Sequence, residues 1–270
     1  MLSTMPDKFE AIRMIFNLVS RYLLFTGLLY FIFYIWQHKR FLYAKIQQRY
    51  PRKKSVSAEI KNSFISILIF GVVIFFTIWA GKKGWTLAYT PMSLHGKPYF
   101  FLSILLMILL HDTYFYWTHR LLHWKPLFKS VHKTHHLSVN PTPFAAYAFH
   151  PVEAFMEVAI IPLVAFTIPH YGPSIAIFSI YSLSLNVIGH LGFELFPKGF
   201  ASHWLFKWHN TSTHHNMHHR LVKYNYGLYF NFWDRLMKTN HPLYEESFNA
   251  VVEARGKAKE DAAERSVMAE

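Results

Sequence analysis

No cysteine occurs among the 270 residues. That absence excludes a disulfide, a cysteine nucleophile, an iron–sulfur cluster held by thiolates and a thiolate-ligated haem. Any metal must sit on nitrogen and oxygen, and the redox state of the compartment leaves no mark on the chain. Acids are scarce too: 15 Asp and Glu stand against 28 Lys and Arg, a net charge of +13. There is no H-E-x-x-H pattern, so the carboxylate base that a zinc-dependent hydrolase sets beside its histidines is missing. No flavin or nicotinamide motif and no internal repeat is visible. With 11 Gly and 13 Pro, neither a collagen-like nor a disordered chain is indicated.

What the chain has instead is apolar and aromatic mass, 52% hydrophobic with 26 Phe and 16 Tyr. Residues 14–36, 63–80 and 99–117 are apolar runs long enough, at about 1.5 Å per helical residue, to cross a bilayer. The first is too long for a signal peptide and no small-residue cleavage site follows it. Residues 152–168 and 173–196 are apolar as well, parted by PHYGP, and suit a membrane hairpin. The expected fold is all-α, a polytopic membrane protein with four or five spanning helices and a cytoplasmic, helical, His-rich cap. Residues 1–104 would hold the first spans and a basic loop, 105–240 the chemistry, and 241–270 a charged tail that reads as a solvated, fraying helix.

Orientation follows from the basic residues. The stretch 37–62 carries eight Lys and Arg against Glu59, whereas 81–98 carries only Lys82, Lys83 and Lys97. The former should be cytoplasmic. Residues from 118 onward, and 197–270 after the hairpin, then share that side. The basic loop reads as an orientation signal and anionic-lipid contact rather than a nucleic-acid site.

Of 18 histidines, 15 lie between 111 and 219. His119 and His123 form H-x3-H. His132, His135 and His136 form H-x2-H-H, as do His215, His218 and His219, and His190 stands near the end of an apolar run. On a helix, positions i, i+3 and i+4 share a face, so each group can converge on metal, and H-x2-H-H can serve two neighbouring ions. A closed zinc site takes four ligands, and this set is about twice that. A redox metal on imidazole, in a dinuclear site, fits better.

These stretches resemble a known family. "HDTYFYWTHRLLH", "HKTHH" and "HNMHH" are similar, in order, to the three histidine boxes of the fatty acid hydroxylase / sterol desaturase superfamily, membrane di-iron oxygenases. "NPTPFAAYAFHP" and "YNYGLYFNFWDRLMKT" resemble further signatures, and the first box is nearest the sterol C5-desaturase branch. The resemblance implies two iron ions (Fe2+/Fe3+) on His119, His123, His132, His135, His136, His190, His215, His218 and His219. Glu194 stands where fatty acid 2-hydroxylases have a further histidine, and is left open between a carboxylate ligand and a polar residue at the membrane edge. Lys238 replaces a usual glycine, which affects a turn. Asp112, His150 and His214 are expected to support ligands rather than bind metal, with Asp112 placed to accept a ligand's free N–H.

The resemblance further implies O2-dependent hydroxylation or desaturation of an unactivated C–H of a lipid, sterol-like or fatty acyl, entering from the bilayer past Tyr114–Trp117. Electrons would come from a cytoplasmic cytochrome b5- or ferredoxin-type donor with its reductase. Two other classes stand beside this reading. A multi-span metal transporter would place its ionisable residues at mid-membrane, and a bis-His haem electron carrier needs only two or four ligands. The product, the lipid and the oligomeric state are open.

Overall fold

The first helix begins where Asp7 caps it. Its carboxylate accepts from the backbone N–H groups of Phe9 and Glu10, and Glu10 Oε2 accepts from Asp7 N, a reciprocal capping box. In this computed structural model, which describes residues 5–267 and side chains to residue 258, that helix, α1 (Lys8–Tyr30), runs on through a π-helical stretch, Phe31–Trp36. Helix α2 (Lys53–Lys82) follows the basic loop, and a two-residue strand β1 (Ala88–Tyr89) precedes helix α3 (Gly96–Leu122).

Beyond α3 comes a helical segment in three pieces, α4 (Lys125–Leu127), a π-helical turn Phe128–His132, and α5 (Lys133–His136). The chain continues through α6 (Pro151–Val158), α7 (Ile160–Thr167), strand β2 (His170–Tyr171) and α8 (Gly172–Gly189). The last helices are α9 (Ser212–Leu221), α10 (Phe232–Leu236) and α11 (Tyr244–Val267).

Four helices are long and apolar enough to cross a membrane: Lys8–Trp36, Lys53–Lys82, Gly96–Leu122 and Gly172–Gly189. Their outer faces carry apolar stripes at helical spacing, such as Leu24, Leu28, Phe31 and Ile35 on the first and Leu68, Val72 and Phe76 on the second, all exposed for lipid to cover. The stretch 152–168 holds no single helix of that length, although it runs back across the bundle, since the starts of α3 and α8 lie at one end and their C-termini at the other. It folds as the two eight-residue helices α6 and α7, parted at Ala159. Pro162 explains the break: it has no N–H for the carbonyl of Val158, so α6 ends and Pro162 falls in the first turn of α7. The protein is thus a helical, integral membrane protein with four long apolar helices.

Packing fixes which helix ends meet. Met107, Ile160, Val164, Ile168 and Phe178 form one core that joins α3, α7 and α8. Tyr22, Val56, Ile67 and Phe144 join α1 and α2 to the turn 143–147, whose Phe144 carbonyl accepts from Tyr22 and Ser63 hydroxyls at 3.1 and 2.8 Å. Strands β1 and β2 pair in parallel, Ala88 with His170 and Tyr89 with Tyr171, which ties the starts of α3 and α8 together. The PHYGP turn therefore contains a strand. The C-terminal ends of α3 and α8 lie together at the opposite end, and all the later helices cap that end.

Two parts of this cap differ from expectation. The basic loop is more than a lipid contact. Lys45 is fully buried in a cage of Tyr34, Tyr50 and Phe193 rings, 5.2, 5.2 and 4.8 Å from its Nζ. Its backbone pairs with the chain after α8: Glu194 N donates to Ala44 O and Ile46 N to Gly192 O. The tail is also docked. Tyr244, Phe248 and Val252, one face of α11, are buried with Ala201 against Phe196, Phe200 and Met217.

Candidate metal centre

Box 1 sits at the C-terminal end of α3, with His119 in its last turn and His123 as its C-cap. His132 closes the π-helical turn, His135 and His136 lie on α5, and His215, His218 and His219 are on α9. His190 caps the C-terminus of α8. Nine histidines from four segments therefore meet between the ends of two spanning helices and the cap.

They meet as two groups. His119, His123, His132, His136 and His218 have ring nitrogens within 4.8 Å of one another, and so do His135, His190, His215 and His219. The boxes are split between them. The i, i+4 pair of box 2, His132 and His136, joins the first group and His135 the second. Box 3 does the reverse: His215 and His219 join the second group and His218 the first. Adjacent residues on one helix thus point to different groups, because one residue turns a helix by about 100° while four residues return to the same face.

The nitrogen atoms face inward. Nε2–Nε2 separations are 3.1 Å for His119–His132, His132–His136 and His136–His218, and 3.2 Å for His123–His218. In the second group they are 2.9 Å for His190–His215, 3.1 Å for His215–His219 and 3.2 Å for His190–His219. Four of the outer nitrogens are occupied elsewhere, while the Nδ1 atoms of His135, His136 and His219 are buried without a hydrogen-bond partner. His119 Nδ1 donates to Tyr226 O at 2.8 Å, His218 Nδ1 to Tyr224 O at 2.7 Å, and His190 Nδ1 to Asn186 O at 2.8 Å. His132 Nδ1 lies 2.7 Å from Glu153 Oε1. A carbonyl only accepts, so those three Nδ1 atoms carry the proton and their Nε2 lone pairs point into the groups.

Protonation does not relieve this crowding. Burial, and then the neighbouring imidazoles, holds His132, His135, His215, His218 and His219 well below the ordinary histidine range. Burial pushes His136 down to about 3 and His190 to about 4. Lone pairs directed at one another in a buried site are unfavourable alone, and a cation at each centre makes them favourable. The donor set, nitrogen only, therefore fits two metal ions.

The remaining site residues expected from sequence lie outside both groups. Glu194 Oε2 accepts from Thr213 N at 2.9 Å, in the first turn of α9, and Oε1 accepts from Phe196 N at 3.1 Å. It seats the box 3 helix instead of facing the ring nitrogens. Asp112 Oδ1 accepts from Tyr229 N and Phe230 N, so it holds the 224–230 loop and receives no ligand N–H. His150 Nδ1 caps α6 by accepting from Val152 N. His214 is buried against Tyr244, 3.8 Å from Asp234 Oδ2.

Sequence reasoning missed Glu153, Tyr224, Tyr226 and Asp234. Glu153 had one signal, an acid inside an apolar run. The two tyrosines act through backbone carbonyls, which no side-chain pattern reveals. Asp234 accepts from Tyr226 N and Gly227 N at 2.9 and 2.7 Å and so shapes their loop. Tyr224 and Asn225 there have φ of 68° and 56°, and Lys238 has φ of 57°, the left-handed region that a glycine suits.

Gly227 is needed in that loop. A Cβ there would lie 2.3 Å from Phe230 O and 2.9 Å from Asp234 Oδ2. Gly227→Ala should shift the carbonyls of Tyr224 and Tyr226 away from His218 and His119 and destabilise the cap by roughly 2 kcal/mol or more. Metal content and melting temperature measure this, and unchanged values of both would show that the loop adapts.

Comparison with known proteins agrees with this geometry. The fatty acid hydroxylase family model matches residues 104–239, which span the nine histidines. The chain is 29% identical over 192 residues to a Delta(7)-sterol 5(6)-desaturase of Gibberella zeae, covering 70% of this chain and 58% of that protein. It is 30% identical over 234 residues to a Delta(7)-sterol 5(6)-desaturase of Aspergillus fumigatus, covering 78% and 68%. It is 30% identical over 198 residues to the lathosterol oxidase of Rattus norvegicus, covering 70% and 63%. The matched stretch thus spans roughly six-tenths of the length of these relatives. No solved structure matches the chain. With four apolar spans, nine converging histidines and a family match over half its length, the chain belongs to the fatty acid hydroxylase family.

Proposed function

We propose that this protein is a membrane oxidoreductase that hydroxylates or desaturates an unactivated C–H position of a lipid, sterol-like or fatty acyl. The observation that carries the reading is the pair of buried nitrogen groups between the C-terminal ends of two spanning helices and the cap. The relatives' names, sterol desaturase and lathosterol oxidase, support a sterol-like substrate. Residues 105–240 carry the site, between the N-terminal spans and the C-terminal helix.

One iron would be held by His119, His123, His132, His136 and His218, and a second by His135, His190, His215 and His219. Bound iron supplies the activation of O2 and the C–H oxidation. The chain's own residues do the rest. The carbonyls of Tyr226, Tyr224 and Asn186 fix three ligand rings in the tautomer that presents Nε2 inward. Glu153 orients His132 in the same way. Phe115 and Phe149 pack on His119 and His135, with ring centroids 5.0 and 5.1 Å apart, and keep water from that side.

Electrons would come from a cytochrome b5- or ferredoxin-type donor with its reductase, on the cytoplasmic side to which the Lys and Arg bias assigns the cap. Lys125, Lys129 and Lys133 lie exposed, four apart, on the back of the segment whose other face carries His132 and His136. No acid occurs between Asp112 and Glu153 to offset them. That surface suits an acidic donor.

Metal analysis of the purified protein, joined to lipid profiling of a strain lacking it, tests the reading. About two irons per chain and an accumulated lipid precursor are expected. Fewer than two metals, or a sharp haem Soret band, would overturn it.

A further inference from the structure

The cap carries a bare apolar surface that the metal centre does not use. Trp204, Leu205, Phe206 and Trp208, four of five consecutive residues, are all exposed, Trp204 at 73%. Phe16, on the first spanning helix, is 71% exposed. The cap thus leaves a tryptophan as open as a side chain that lipid covers. Phe232 and Leu236, one face of α10, are exposed as well. Water-facing surfaces rarely gather such residues without something to cover them.

Hydrogen bonds hold these residues together and against a span. Lys207 O accepts from Asn231 Nδ2 at 2.8 Å and from Arg235 Nη2 at 3.3 Å, and Trp208 O accepts from Asn231 N at 2.8 Å. The 204–208 segment is therefore fastened to α10. Helix α10 is fastened in turn to α3: Trp233 Nε1 donates to Thr113 Oγ1 at 3.1 Å, and its ring lies 5.5 Å from that of Trp117. Thr113 and Trp117 continue, at helical spacing, the stripe of exposed Leu102, Leu106 and Leu109, so α10 joins α3 on the face that lipid covers. Depth follows from the helical rise. Thr113 and Trp117 lie about 26 and 32 Å along α3 from Gly96, the first residue of that span, where a hydrocarbon core of about 30 Å ends.

We propose that the 204–208 segment and the Phe232–Leu236 face of α10 form an interfacial anchor, lying in the leaflet on the cap's side at the boundary of head groups and acyl chains. The occupant is lipid because the patch is continuous with the lipid-facing stripe of α3. A protein on it would have to displace lipid from around Trp117, itself exposed. Tryptophan suits that depth, since its ring is apolar and its N–H seeks a polar partner. Charge suits it too. Lys207 Nζ lies 5.2 Å from the centroid of the Trp208 ring, and Lys238 is exposed just past Leu236. No Asp or Glu occurs between Glu194 and Asp234 to repel an anionic head group. Because α9 begins four residues after Trp208, the anchor sets the height of the third box above the bilayer.

The absence of cysteine lets single labels test this. Nitroxides on Trp204→Cys and Leu236→Cys, in nanodiscs of phosphatidylcholine and phosphatidylserine, are compared with Phe16→Cys in a span and Glu246→Cys on the exposed side of α11. Power saturation with oxygen and a nickel chelate should place the labels at 204 and 236 about 5–10 Å into the boundary, reached by oxygen and shielded from nickel. Nickel access equal to that at 246 would overturn the proposal. Shielding from both reagents would overturn it too, because protein would then cover the patch. Wild-type protein gives a reading that no misfolded variant can spoil. Photolabelling with a phospholipid that carries a diazirine high on its acyl chain should modify 203–208 and 232–236 along with α3, and labelling of α3 alone would overturn the proposal. Neither measurement needs turnover, so the outcome is independent of the proposed reaction.

Discussion

His219→Ala should leave about one iron per chain and no measurable turnover, whereas its neighbour His218→Ala should lose turnover while retaining more metal. The difference follows from the crossing of the boxes. His219 belongs to the four-nitrogen group with His135, His190 and His215, so its loss leaves three donors. His218 belongs to the five-nitrogen group, and four donors remain after its removal. Both changes should reduce activity by roughly a hundredfold or more, since even residues that only orient ligands commonly matter by ten- to a hundredfold. Membrane insertion should be unaffected, because α9 is not one of the spans. Iron content of the two purified variants decides the matter. Equal metal loss in both would mean that the adjacent histidines serve the same ion.

Acidification should dismantle the cap over a defined window. The folded-state affinities of His132, His135, His136, His190, His215, His218 and His219 for protons are all depressed, chiefly by burial. Between each folded value and the ordinary one near 6.5, the unfolded cap binds more protons than the folded cap. Stability is therefore fully present above about pH 6.5 and falls as pH drops below it, toward about 4 for His190 and about 3 for His136. Each such group contributes a slope of up to about 1.4 kcal/mol per pH unit. Bound metal acts in the same direction, because protons compete for the same nitrogens. Hydrogen exchange of α9 and released iron, followed from pH 7.5 to 5, should rise together once pH passes below about 6.5. A flat response across that range would show that the cap's stability does not depend on neutral imidazoles.

Much of this was legible in the residues. The apolar runs gave the first three spans and α8, since length and lack of charge are what a bilayer demands. Residues 152–168 run back across the bundle as a hairpin requires, but Pro162 breaks their hydrogen-bond ladder, and they do so as a pair of short helices rather than one long one. Eight histidines grouped by spacing, with His190 added by the family resemblance, are the same nine that converge. What spacing could not give is their division, because H-x2-H-H says that three side chains are near one another, without saying which turns toward which ion. Glu194 shows another limit. A carboxylate beside the boxes reads equally as a ligand or as a polar residue at the membrane edge, and its engagement by the backbone of Thr213 and Phe196 depends on a turn that no motif encodes. The tail's charges hid the face of Tyr244, Phe248 and Val252, whose spacing of four was the available signal.

Glu194 is also a junction. Its side chain seats α9, its N–H binds Ala44 of the basic loop, and its carbonyl accepts from Arg255 Nη1 at 2.8 Å, while Arg255 Nη2 reaches Phe196 O. Arg255 is translated well after the last of the nine histidines. During synthesis the spans can insert and the boxes can emerge while their seat is still loose. The order of assembly is then membrane first, clamp last, and a ribosome paused before Arg255 would hold a chain with every ligand made and the third box not yet held in register.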